Sequence, residues 1–392
     1  MPFPDVVIEP VRSKRERRDF ILFAWQVYAD DPNWVAPLIS DAMKLHDPAV
    51  HPFHQHAEVE LFVARRGGAR AESLAGAGPA VGRPGEVIGR IAAIVNHTHN
   101  EFHGEKTGFF GFFECLPDQT VASLLLETAA DWLRGRGMET MRGPANYSSN
   151  EEWGLLIDGF DSAPFLMMTY NPPRYADHFE TFGLRKAKDL VAYVLEDNRP
   201  PERFARSVDR VVEKSGVKIR PLDMKHFDRE VELVQTLYNS IWERNWGFVP
   251  MSAAEIEHMA KELRPVVDPA IVLFAELKGE VVGFALAIPN ANQALQKANG
   301  RLFPFGLVKM LLEMRKVHWA RVLTLGIVPS HRGQGLDAAL YLAMYRAAAG
   351  RGYIGGEFSW ILEDNLPIRR GLEHFGARVY KTYRVYDYAL AR

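Results

Sequence analysis

The chain holds one cysteine, Cys115, in 392 residues. A single thiol closes no intramolecular disulfide, so the fold does not lean on an oxidising compartment. No run of about 18 apolar residues occurs, which excludes a simple membrane-spanning helix. The opening stretch, MPFPDVVIEPVRSKRERRDF, lacks the apolar core of a secretory signal. A basic surplus is missing as well. Formal net charge is −2, whereas nonspecific nucleic-acid binders carry a positive balance. The expectation is a cytoplasmic protein with no nucleic-acid partner and no membrane partner.

What is present is a repeat. GEVIGRIAAIVN at 85–96 matches GEVVGFALAIPN at 279–290 in seven of twelve positions. Gly-Arg-Gly closes a helical stretch at 135–137 and again at 350–352, and ETFGL at 180–184 pairs with EHFGA at 373–377. The offsets are 194, 215 and 193 residues, so the second copy carries about 21 extra residues before its helix (215 − 194). Three matches in one order indicate a duplication. The prolines of EDNRPPERF, 196–204, interrupt the chain between the copies, which sets the domains at 1–197 and 198–392. The glycine-rich tract 67–85 is expected to be a mobile hairpin loop. Each copy follows the same order: helices, a two-strand hairpin, a strand, a helix, a strand, a helix and final strands. That order predicts an α/β (α+β sandwich) fold, two tandem domains each with a mixed, mostly antiparallel sheet flanked by helices.

The stretch VPSHRGQGLDAAL, 328–340, joins the strand RVLTLGIV to a helix beginning at Leu336. Gly333 and Gly335 allow the tight turn that brings backbone N–H groups to an anion at a helix start. Here the chain resembles the GCN5-related N-acetyltransferase (GNAT) superfamily, whose Gln/Arg-x-x-Gly-x-Gly/Ala loop wraps the pyrophosphate of acetyl-CoA. The resemblance covers nearly all of 217–392 and extends more weakly through the repeat to 1–195. It implies an N-acyltransferase that moves an acetyl (or other acyl) group from acyl-CoA to a small-molecule or peptide amine. It also implies cofactor contacts from Leu325, Ile327, Arg332, Gly333, Gln334, Gly335, Leu336, Asp337 and Asn365. The loop departs from the pattern at its sixth position, where Asp337 replaces a small residue. On its own, Asp337 suits a helix cap. A second departure is Leu372, which stands where many members carry a proton-donating tyrosine; Tyr380, Tyr383 or Tyr353 would have to replace it. The first copy has PDQTVA, 117–122, in place of RGQGLD. Without glycine or arginine, it is not expected to hold CoA in this way.

Acetyl transfer needs a base for the amine proton. Regular alternation along GEFSWILE would put Glu357, Ser359, Ile361 and Glu363 on one face, making Glu357 and Glu363 the carboxylate candidates. Tyr380 is the candidate acid, and His331 is a weaker option beside the loop. Two other readings of the resemblance stay open: a noncatalytic GNAT-fold binding protein, and a transferase that uses aminoacyl-tRNA as the Fem-type enzymes do. Homodimerisation is also left open.

Other clusters have plainer readings. Seven of thirteen histidines lie between 46 and 103, but without a fixed metal-ligand spacing no metal site is assigned. RSKRERR, 12–18, suits a solvated helix start. LFPFGLVKMLLEMRKVHWAR, 302–321, places Leu307, Met310, Leu311, Met314 and Val317 on one face and is expected to pack on its own sheet. The long segment 143–173 mixes hydrogen-bonding and aromatic residues, as functional loops do.

Overall fold

The repeat reappears as two copies of one strand order. A computed structural model describes residues 6–67, 85–197 and 199–390. The loop expected at 67–85 falls almost wholly outside them. Contacts divide the chain into two units: residues 1–188, 299–301 and 383–392, and residues 189–298 and 302–382.

The first unit contains β1 (Val6–Pro10), α1 (Lys14–Val27), α2 (Ile39–Leu45), β2 (Ala57–Arg66), β3 (Val87–Asn96), α3 (His97–His103), β4 (Thr107–Cys115), α4 (Gln119–Arg134) and β5 (Thr140–Gly143). The short strands β6 (Ala145–Asn146), β7 (Glu152–Trp153) and β8 (Leu155–Asp158) follow, then α5 (Tyr175–Phe182) and β9 (Arg185–Leu195). Neighbours β1 to β4 pair antiparallel, and β4–β5 is parallel. The apolar run of β3 is buried on both faces, with α4 inserting Leu125, Leu126, Ala129 and Leu133 into the core. The basic cluster 12–18 does open a helix: Ser13 is the N-cap and Lys14 to Arg18 form the first turns of α1.

The second unit contains α6 (Glu202–Ser215), β10 (Lys218–Pro221), α7 (Phe227–Trp242), α8 (Ala253–Leu263), β11 (Val272–Leu277), β12 (Glu280–Pro289), α9 (Asn292–Ala298), α10 (Gly306–Met314) and β13 (Trp319–Ile327). Then come α11 (Leu336–Gly350), β14 (Gly355–Leu362), α12 (Leu366–His374) and β15 (Arg378–Ala389). Pairing is again antiparallel from β10 to β13 and parallel for β13–β14.

The units exchange their ends. Residues of β9 belong to the second unit, where they pair antiparallel with β14; the last residues of β15 belong to the first, where they pair antiparallel with β5. The sequence boundary at 197/198 follows the repeat, whereas these units follow the strand exchange.

Candidate active site in the second unit

In both units the parallel pair parts partway. β13 and β14 pair from Trp319–Gly355 to Val322–Phe358, and both strands then continue separately. A register shift just beyond, between Leu286 and Ala287 of β12, leaves Leu323 of β13 without an opposite residue. Thr324 sits in this parted stretch, and its hydroxyl oxygen is buried with no hydrogen-bond partner among the described residues.

The loop after β13 carries the second feature. Gly333 and Gly335 adopt φ of +74° and +77°, a left-handed conformation that residues with a Cβ rarely take. Gly335 is the N-cap of α11 and offers no side chain to its first turn. The N–H groups from Gly333 to Ala338 therefore have no hydrogen-bond acceptor among the described residues. Successive free N–H groups at a helix start make an anion site. The first unit differs at the same place. Asp118 caps α4 and accepts from the Thr120 and Val121 N–H groups at 2.8 and 3.2 Å. The helix start that is open in the second unit is closed by a carboxylate in the first.

Arg332 is placed as an anchor. Its guanidinium donates to the carbonyls of Ile327 at 3.2 Å and Ile241 at 2.6 Å, which ties the loop to β13 and α7. Asp337 lies exposed in the first turn of α11. The capping role expected for it is not seen: among the described residues no backbone N–H donates to its carboxylate. Burial pushes the Tyr341 phenol, one turn on, up to about 12, and the Asp337 charge adds to that shift. Leu325 and Ile327 lie on β13, opposite Ala285 and Gly283 of β12. Leu336 is a buried core residue, and Gln334 is exposed. Asn365 precedes α12 without a side-chain cap bond.

On β14 the carboxylates separate. Glu357 is fully buried and accepts from the Ser359 hydroxyl at 2.6 Å and from the Tyr380 hydroxyl. Arg321 of β13 lies 3.5 Å from Glu357 and donates to Ser359 at 2.9 Å. Burial raises the Glu357 carboxyl above the usual glutamate range; Arg321, then Ser359, Tyr380 and Lys381, oppose that rise. Glu363 does not join this cluster. The pairing register with β9 shifts between Phe358 and Ile361, so the expected alternation breaks. Ile361 turns into the core beside Leu372, and Glu363 accepts from the Asp189 N–H at 3.1 Å. Of the tyrosine candidates, Tyr353 is bound to Asp268 at 3.2 Å, Tyr383 is fully buried and grouped with the first unit, and Tyr380 reaches Glu357.

Arg321 and Lys381 were not singled out from sequence. The available signal was a charge inside an apolar strand: Arg321 stands in WARVLTLGI, and both side chains are buried. Another unforeseen network lies in the first unit, where Glu114 accepts from Tyr28 at 2.9 Å and Tyr175 at 2.7 Å. The histidines of the same unit are held by their own partners: His46 contacts the Tyr147 hydroxyl, and His54 the Leu45 carbonyl at 3.2 Å. Among the described residues no three His, Cys, Asp or Glu groups are placed to share a metal ion.

The family model for the GNAT acetyltransferases matches residues 231–376. Over its whole length the chain is 37% identical to a bacterial ceramide synthase of Caulobacter vibrioides, with all of both chains covered. It is 32% identical to Protein YghO of Escherichia coli, over 96% of this chain and 93% of that protein. A tandem GNAT protein from the clavulanic acid biosynthesis pathway superimposes with a TM-score of 0.57 at 12% identity, covering 99% of each chain. A GCN5-related N-acetyltransferase from Sphaerobacter thermophilus gives 0.51 at 13% identity, covering 99% of this chain and 96% of that one. At such identities the likeness establishes the fold.

Proposed function

Because the chain belongs to the GNAT acetyltransferase family, we propose that its second unit binds an acyl-CoA and passes the acyl group to a primary amine. The observation that carries this reading is the row of acceptor-free N–H groups from Gly333 to Ala338 beside the parted strands β13 and β14. The N–H row suits the pyrophosphate. The parted strands and the orphaned Thr324 hydroxyl suit the pantetheine arm. Bound acyl-CoA would supply a thioester carbonyl open to direct attack by the amine: the C–N bond would form, the C–S bond would break, and CoA would leave as the thiolate.

The chain's own part is the proton. Tyr380 is half-buried and bonded to Glu357, so an amine proton reaching the tyrosine oxygen can move the tyrosine proton on to the carboxylate. A base with a raised pKa holds that proton better than an ordinary glutamate does. Arg321, 3.5 Å away, opposes the rise from burial and so favours the ionised carboxylate.

The full-length likeness to a ceramide synthase supports a narrower reading of the acceptor: a long-chain amino alcohol, acylated on nitrogen by a fatty acyl donor. The test incubates the purified chain with long-chain acyl-CoA or acetyl-CoA and with sphinganine or a short amine. Products are read by mass spectrometry and CoA binding by calorimetry. An amide formed from the long-chain pair supports the whole reading. An amide formed only from acetyl-CoA keeps the transferase and removes the lipid acceptor. A folded sample that gives neither heat with CoA nor any amide ends it. That last result would favour a noncatalytic binding protein, a reading to which exposed Asp337 and buried Leu372 lend support.

A further inference from the structure

The connection between β12 and β13 runs over residues 290–318, whereas its counterpart between β3 and β4 runs over 97–106. The difference is 29 − 10 = 19 residues: the first connection holds one short helix, α3, and the second holds two, α9 and α10. The first unit builds the same strand order without this addition, so the fold does not require it.

The face assigned from sequence is only half right. Met310, Met314 and Val317 are half-buried, but Leu307 and Leu311 face outward together with Val308 and Leu312. Ahead of them, Phe303 is 84% and Phe305 69% exposed. Six of the fourteen exposed large hydrophobics among the described residues thus fall within ten residues. Scattered exposed hydrophobics are ordinary, but a contiguous stripe marks a contact surface.

Charge selects the partner. Residues 302–317 carry Lys309, Arg315 and Lys316 against one acid, Glu313, a local +2 in a chain of net −2. Glu313, the one acid within residues 302–317, is held by Lys316 at 2.8 Å. Lys309 lies on α10 beside the apolar arc, Arg315 and Lys316 follow its last residue, Met314, and two phenylalanines lead into it. An apolar stripe with a basic margin is the pattern of a helix that lies in the plane of a lipid headgroup layer. We propose that α10 and the Phe303–Phe305 turn dock the protein on an anionic lipid bilayer. Among the described residues no helix is long and apolar enough to cross a membrane, which bears on spanning and not on surface docking. The proposal stands on exposure and charge and does not depend on acyl transfer.

The test is flotation of the full chain with phosphatidylglycerol-containing vesicles and with pure phosphatidylcholine vesicles. Wild type should float with the anionic vesicles and much less with the neutral ones. Phe305→Glu and Leu311→Glu should each lower the partition by about tenfold or more, and the double variant Lys309→Glu/Lys316→Glu should erase the anionic preference. Because these side chains are exposed, the circular dichroism and melting of the variants should stay unchanged. A Leu312→Trp probe should shift its emission to the blue with anionic vesicles. Wild type that stays in the soluble fraction overturns the proposal, as does a Leu311→Glu variant that floats equally well. A dimer that Leu311→Glu splits, with neither form floating, would instead make the face a self-interface and also overturn it.

Discussion

The Phe112 N–H donates to the Asn146 side-chain oxygen at 2.7 Å, where β4 has parted from β5 in the first unit. Gly111 packs so closely on the following segment that a Cβ there would lie 1.7 Å from the Ala145 carbonyl oxygen. The chain's own residues 145 and 146 thus fill the gap that the second unit's counterpart strands frame. Closed by Asn146 and capped by Asp118, the first unit lacks the gap and the open helix start on which the proposed CoA site rests. Asn146→Ala should cost about 1–3 kcal/mol in denaturant unfolding, because it strands the Phe112 N–H. Gly111→Ala should cost about 3 kcal/mol, since the obstacle is backbone. Neither variant should gain a calorimetric signal for CoA from the first unit, because Asp118 still caps α4; a second binding event in the wild-type chain would contradict the closure.

Asp337 is an exposed carboxylate beside the acceptor-free N–H groups, with no hydrogen bond to offset its charge. A bound pyrophosphate would feel it. Asp337→Ala should tighten CoA binding by about three- to tenfold at low salt, with the gain shrinking as ionic strength rises. Arg332→Ala should weaken binding, because the loop loses both carbonyl anchors. Calorimetry at two salt concentrations reads both. Unchanged affinity in Asp337→Ala would mean that no anion binds at this helix start.

Element order was legible where periodicity was strong. The helix 336–350 and the strand 355–362 occur where the pattern places them. Three things were not legible. The exchange of β9 and β15 leaves no trace in period or propensity, because a strand's pattern records its buried faces and not its neighbour. The face shared by Glu357 and Glu363 failed at the register shift after Phe358, which a two-residue period cannot foresee. In α10 both sides are apolar, so the period found a helix but could not say which side was core. The tight turn at 333–335 was legible because two glycines between a strand and a helix mark left-handed backbone.

Cys115 is fully buried at the end of β4, and burial pushes its thiol up to about 12. The thiolate is the reactive form. The folded chain should therefore show no titratable thiol with Ellman's reagent and one per chain in guanidinium. Rapid reaction of the native protein would mean that β4 opens locally. The point has practical weight, since the same reagent reports CoA release.

Glu357 gives the sharpest pH test. Burial raises its pKa in the folded chain, so the native state holds the proton more tightly than the unfolded one. Its contribution to stability is full below the unfolded glutamate pKa and is lost as pH rises through the folded value. Glu357→Gln does not titrate. The variant is offset downward by the stranded Arg321 charge, and the gap between wild type and variant should narrow as pH rises through that window. Catalysis should show the opposite face of the same titration. The proposed base works ionised, so wild-type kcat should fall on the acid side with a midpoint above the usual glutamate range. Glu357→Gln should lose about 100-fold in kcat and that acid limb with it, while KM for acyl-CoA changes little. Tyr380→Phe should cut kcat by about the same factor, because it removes the hydroxyl that joins the buried carboxylate to a half-buried side chain. If either variant keeps full kcat and the acid limb, Glu357 is a structural ion partner of Arg321 and the proton leaves by another route.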